Sequence, residues 1–149
     1  MSAPGRSQAL IPEPAKGEGT PSSTPPQVAL VTGASRGIGR AIAVALAEDG
    51  ADVAVAYRRD EAAAKETVAE IERLGRRARA YSAAMEDFDA LQQMVEAAVA
   101  DFGDVDILVN NAGIANAEWQ RTLDVNLSGV YYGCQHGAQV MASSGGGVI

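Results

Sequence analysis

An apolar run, Val28 to Val31, passes directly into Thr32-Gly33-Ala34-Ser35-Arg36-Gly37-Ile38-Gly39, and beyond it alanine, isoleucine, valine and leucine recur at helical spacing from Arg40 to Asp49. A glycine-rich turn held between a strand and a helix leaves few folds open. Glycine permits the sharp turn and lets an anion approach the main chain, and the free N–H groups and positive dipole end of the following helix attract that anion. The run therefore reads as a cradle for the pyrophosphate of a dinucleotide. Gly33, Ser35, Arg36, Gly37, Ile38 and Gly39 are its expected contacts.

The spacing G-x-x-x-G-x-G differs from the G-x-G-x-x-G of the commonest dinucleotide fingerprint, so the glycines alone are a weak signal. A second motif strengthens it. Asp106-Ile107-Leu108-Val109 is a buried-strand run that ends in Asn110-Asn111-Ala112-Gly113, and Asp124-Val125-Asn126-Leu127 follows on a helical stretch. Taken together, T-G-x-x-x-G-x-G, N-N-A-G and D-V-N-L resemble the short-chain dehydrogenase/reductase family over residues 28–149.

From Gln27 onward strand-like and helix-like runs alternate. Strands are expected near 28–31, 53–57, 78–82, 107–110 and, barely begun, 148–149; helices near 38–49, 61–74, 88–101 and 118–142. Such alternation means a parallel sheet with right-handed crossovers. The fold class is α/β, a Rossmann-type doubly wound parallel sheet, incomplete and ending at the start of strand 5. With strand order 3-2-1-4, the ligand crevice opens at the carboxyl ends of the first and fourth strands, where both motifs end.

Composition suits such a domain: 47% hydrophobic, 21% charged and 5% aromatic. A net charge of −7 argues against a nucleic-acid partner, which needs a basic face. Cys134 is the one cysteine, which excludes an intrachain disulfide and a cysteine-only metal site, and no metal is expected. It reads as a small buried hydrophobe. Residues 1–26 hold all six prolines and no apolar periodicity, and read as a disordered tail ahead of a domain over 27–149. Neither a signal peptide nor a membrane span is expected, and the default address is the cytoplasm.

The end of the second strand bears on which nicotinamide cofactor binds. NAD-preferring sites place a carboxylate there for the ribose 2′-hydroxyl, whereas this chain has Tyr57-Arg58-Arg59. Tyr57 and Arg58 join the expected contacts. With Arg36 from the glycine loop, Arg58 offers a guanidinium fork for a 2′-phosphate, so NADP(H) is favoured over NAD(H). Asp60 falls one step later and reads as a helix N-cap. Arg59 and Arg40 read as solvated surface charges.

The resemblance implies more. Asn110, Ala112 and Gly113 would line the adenosine and ribose side of the crevice, and Asn126 matches the family's catalytic asparagine, which holds a water in a proton relay. It implies an oxidoreductase of the carbonyl or 3-oxoacyl reductase class, acting on a small carbonyl or alcohol substrate and forming a homo-oligomer. The chain departs from the family at three places. Ala84 stands where an aspartate usually contacts the adenine amine. Only residues 114–118 connect N-N-A-G to Trp119, where the family has a longer stretch. The family's catalytic serine and Y-x-x-x-K pair do not occur, since Tyr131 and Tyr132 are followed four residues on by Gln135 and His136. The expectation is the cofactor-binding part of such a reductase, inactive as it stands; the alternative is a catalytically dead product serving as a nucleotide-binding or interaction module.

Overall fold

The computed structural model describes residues 25–115 and 117–149, so the expected tail over residues 1–26 falls almost wholly outside the described residues. Strands β1 (Val28–Val31), β2 (Asp52–Tyr57), β3 (Ala78–Ser82) and β4 (Ile107–Val109) form one parallel sheet in the order β3-β2-β1-β4. Between them run α1 (Gly37–Glu48), α2 (Glu61–Arg73) and α3 (Phe88–Phe102). After β4 come α4 (Trp119–Leu123), a π-helical turn over Asp124–Ser128, and α5 (Gly129–Ser144). This is the doubly wound Rossmann-type sheet expected from the sequence. Val148 adds a single parallel bridge to Ile107, where the fifth strand was expected.

Both faces of the sheet are covered, which is why its central strands read as unbroken apolar runs rather than as alternating ones. Val31, Val53 and Val55 pack with Ala43 and Ala47 of α1 and Ala64 and Ile71 of α2. Leu30, Ala54 and Ala56 point the other way, into a core with Leu91, Met94 and Val95 of α3 and Met141 of α5. The small side chains of α1 bring that helix close to the sheet. On α5 the same end is reached with glycine: a Cβ at Gly133 would stand 2.5 Å from Asn110 Oδ1, and one at Gly137 would stand 2.7 Å from Leu108 Cδ2.

Two differences from the sequence reading have physical causes. The single helix expected over 118–142 is two helices joined by the π-helical turn, an extra residue's worth of winding that side-chain periodicity does not reveal. Arg40, expected to be a solvated charge, instead bridges α1 to α2: its Nη2 lies 2.7 Å from Glu70 Oε2 and its Nη1 3.5 Å from Glu66 Oε2. The hydrogen bond to Glu70 raises the Arg40 pKa above its ordinary value.

The amino ends of the strands are tied by a buried charge. Asp52, at the start of β2, is 1% exposed and accepts hydrogen bonds from Arg76 Nη2 and Arg77 Nε, each at 2.6 Å, and from the Arg77 N–H at 3.0 Å. Burial alone would push its pKa up; the Arg77 hydrogen bonds and the neighbouring Arg76 charge outweigh burial and hold Asp52 below the usual carboxylate range.

Candidate functional site

At the opposite end of the sheet, the segments following β1, β2 and β4 surround a cleft of about 590 Å³. Gly33, Ser35, Arg36, Gly37, Ile38 and Gly39 line it from the glycine-rich turn, Tyr57 and Arg58 from the end of β2, and Ala112 and Gly113 from the segment after β4. These expected contacts, distant in sequence, thus meet in one cavity.

Two side chains staple the walls together. Buried Thr32 Oγ1 donates to the Val109 carbonyl at 3.1 Å and accepts from the N–H groups of Asn111 and Ala112, both at 3.0 Å. Asn111 Nδ2 donates back to the Thr32 carbonyl at 2.9 Å. Thr32→Val would leave the Ala112 N–H group without an acceptor and the Asn111 N–H with only the Val109 carbonyl at 3.1 Å, an expected loss of about 1–3 kcal/mol. It should appear as a lower urea midpoint at unchanged m value.

Gly33 and Gly37 take left-handed backbone, with φ of 67° and 58°, and so turn the chain from β1 into α1. A Cβ on Gly37 would meet nothing within 4 Å. Helix α1 begins at Arg36 with no side-chain cap and no acidic residue in its first turn. Helices α2 and α3 differ, because Asp60 and Asp87 cap them by accepting from the Ala63 and Ala90 N–H groups at 3.0 Å. The first-turn N–H groups of α1 therefore keep their affinity for an anion at the cleft floor.

On a chain of net charge −7, the cleft lining gathers Arg36, Arg58 and Arg59 against Asp60 and Glu86. Asp60 is the expected N-cap, its carboxylate engaged by α2. Arg59, expected on the solvated surface, is exposed but stands at the cleft wall. Arg58 is not free: its Nη2 donates to Glu86 Oε1 at 2.6 Å.

Asn110 and Asn126 do not line the cleft. Asn110 turns toward α5, where its Nδ2 donates to Cys134 Sγ at 3.4 Å and its Oδ1 is buried without a partner. Cys134 is half-buried rather than buried. Asn126, on the π-helical turn, is exposed and its amide is engaged. Its Nδ2 donates to the Ile114 carbonyl and its Oδ1 accepts from the Ile114 N–H, both at 2.8 Å. Ile114 in turn lines the cleft, so Asn126 reaches the site through the rim it holds.

Sequence reasoning missed Asn111, Met85, Glu86, Ile114 and Val125, which also line the cavity. Asn111 carried a signal in the N-N doublet. Glu86 carried none, because its partner lies 28 residues away. Ala84 is not among the lining residues. Tyr132 packs edge-on to Phe88 at 5.2 Å, as expected of a packing residue, whereas Tyr131 is exposed. Among the described residues no helix is long and apolar enough to cross a membrane.

The arrangement matches known proteins. L-rhamnose 1-dehydrogenase (NAD(P)(+)) from Sphingomonas sp. (strain SKA58) is 45% identical over 127 residues, covering 79% of this chain and 50% of that protein. The 3-oxoacyl-(acyl-carrier-protein) reductase FabG of Staphylococcus aureus (strain Mu50) is 42% identical over 130 residues, covering 81% and 53%. The chain thus spans about half the length of these relatives. The crystal structure of a short chain dehydrogenase from Burkholderia cenocepacia J2315 in complex with NADP superposes with a TM-score of 0.74 at 46% identity, over 76% of this chain and 50% of that one. The family profile described as short chain dehydrogenase matches residues 27–149, and the chain belongs to that family of NAD(P)-binding oxidoreductases.

Proposed function

We propose that this chain is the cofactor-binding portion of an NADP(H)-dependent oxidoreductase of the carbonyl or 3-oxoacyl reductase class. One observation carries the reading: the uncapped amino end of α1 opens on the cleft, with Arg36 and Arg58 among the residues that line it. The donor set fits a dinucleotide. Main-chain N–H groups of Gly37, Ile38 and Gly39 would hold the pyrophosphate, Arg36 and Arg58 the ribose 2′-phosphate, and Tyr57, Ala112 and Gly113 the walls about the adenosine. The bound cofactor would supply or accept a hydride. The solved relative in complex with NADP supports this choice of cofactor.

Asn126 acts as a positioning residue. It uses one Nδ2 hydrogen and one Oδ1 lone pair on Ile114, and the other donor and acceptor of its amide remain for a relay water. Asn110 would brace the wall from behind through Cys134. The substrate proposed is a small carbonyl or alcohol compound, and the whole protein is proposed to be a cytoplasmic homo-oligomer.

Titration of nicotinamide fluorescence tests the cofactor assignment. Arg58→Ala is expected to weaken NADPH binding about tenfold to thirtyfold, the loss of one charge-assisted contact, and to leave NADH binding nearly unchanged. Equal NADPH affinity in the variant and the parent would refute the 2′-phosphate assignment.

A further inference from the structure

The Arg58 guanidinium that the cofactor assignment needs is held by a carboxylate. Glu86, on the loop between β3 and α3, accepts from Arg58 Nη2 at 2.6 Å through Oε1, and Arg121 Nη2 lies 3.9 Å from the same oxygen. The Arg58 and Glu86 side chains keep 35% and 26% of their exposure, and both residues line the cleft. The other carboxylate oxygen, Oε2, is buried and without a hydrogen-bond partner. One carboxylate therefore neutralises the guanidinium expected to read the 2′-phosphate, while retaining an unmet acceptor of its own.

We infer that Glu86 is a specificity-determining residue that opposes Arg58 and moderates the preference of the cleft for a 2′-phosphorylated dinucleotide. The inference rests on the proposed NADP(H) site. A 2′-phosphate approaching Arg58 must take the guanidinium from Glu86 or share it with a carboxylate of like charge, and either route lowers the net gain from the contact. A ligand with a free 2′-hydroxyl carries no such charge and brings a hydrogen-bond donor, which a carboxylate accepts. Arg36, whose side chain makes no hydrogen bond or ion pair among the described residues, remains wholly available to phosphate. The cleft thus sets one free and one restrained guanidinium against a carboxylate, the balance of a site that accepts both cofactors.

The experiment is a matched titration of the purified protein with NADPH and NADH in the parent, Glu86→Gln, Glu86→Asp and Arg58→Ala forms. Glu86→Gln keeps the shape and removes the charge, and is expected to tighten NADPH about threefold to tenfold, the scale of a partly exposed ion pair released to a new partner, without tightening NADH. Glu86→Asp keeps the charge and is expected to stay near the parental ratio of the two affinities. That ratio is the readout, because partial unfolding lowers both affinities together and leaves it unchanged. An unchanged ratio in Glu86→Gln, with NADPH binding weakened by Arg58→Ala, overturns the inference and leaves the cofactor assignment standing. An unchanged NADPH affinity in Arg58→Ala overturns the assignment itself, and the inference with it.

Discussion

Replacing Gly39 by alanine is expected to weaken NADPH binding about thirtyfold and to destabilise the fold by about 3 kcal/mol, through one added methyl group. The new Cβ would overlap the Gly33 carbonyl oxygen and stand 2.5 Å from Asn111 Nδ2. That oxygen is backbone in a loop pinned by Thr32 and Asn111, so relief requires α1 to move away from the glycine turn. Such a shift moves the helix N–H groups off the cleft floor. Gly37→Ala is the contrast. Its Cβ meets open space, and the variant suffers only the left-handed strain of φ 58°, about 1–2 kcal/mol. Thermal unfolding and NADPH titration of the two variants check the expectation. A Gly39→Ala protein with the parental midpoint and affinity would show that α1 does not pack on the turn.

The second large effect lies at the far end of the sheet. Asp52→Asn removes the shared counter-charge of Arg76 and Arg77 from a buried position, and is expected to lower stability by about 3 kcal/mol at neutral pH. Its pH dependence has a definite sign. The folded-state pKa of Asp52 is depressed, so its contribution is complete above the unfolded-state pKa, about 4, and is lost as pH falls through the lower folded value. The gap between parent and variant should therefore stay constant from neutral pH to about 5 and close below about pH 4. Urea midpoints across that range measure it. A gap that widened on acidification would contradict the clamp.

How much of this was legible beforehand depended on how local each signal was. The parallel sheet followed from apolar runs alternating with amphipathic ones, because strands buried on both faces cannot tolerate polar breaks, and its strand order came with the doubly wound fold class. Asp60 was readable as a cap because its acceptor role is met three residues later, at Ala63. The glycine turn was readable because its backbone needs are built into residue type. The rest of the site was not. Glu86 and Asn111 take their places from partners 28 and 79 residues away, and no periodicity encodes such pairs. The π-helical turn was hidden for a different reason: it rewinds the backbone without altering composition, so a single helix was expected where two stand. Asn110 belongs to a doublet whose two members point apart, one to the glycine turn and one to α5, and sequence alone does not say which goes where.

The grip of Asn126 on Ile114 has a mechanical meaning. The asparagine amide takes both the N–H and the C=O of one loop residue, as a neighbouring strand would, and thereby ties the rim at Ile114 to the π-helical turn. That turn runs straight into α5, which rests on β4 through glycines at helical spacing. The rim of the cleft is consequently held at two points, by the helical run at Ile114 and by Thr32 at the end of β1 through Asn111 and Ala112. A push on the exposed Leu127 and Tyr131 would act on the same continuous helical run that carries Asn126, and through that one side chain on Ile114 at the mouth of the cavity.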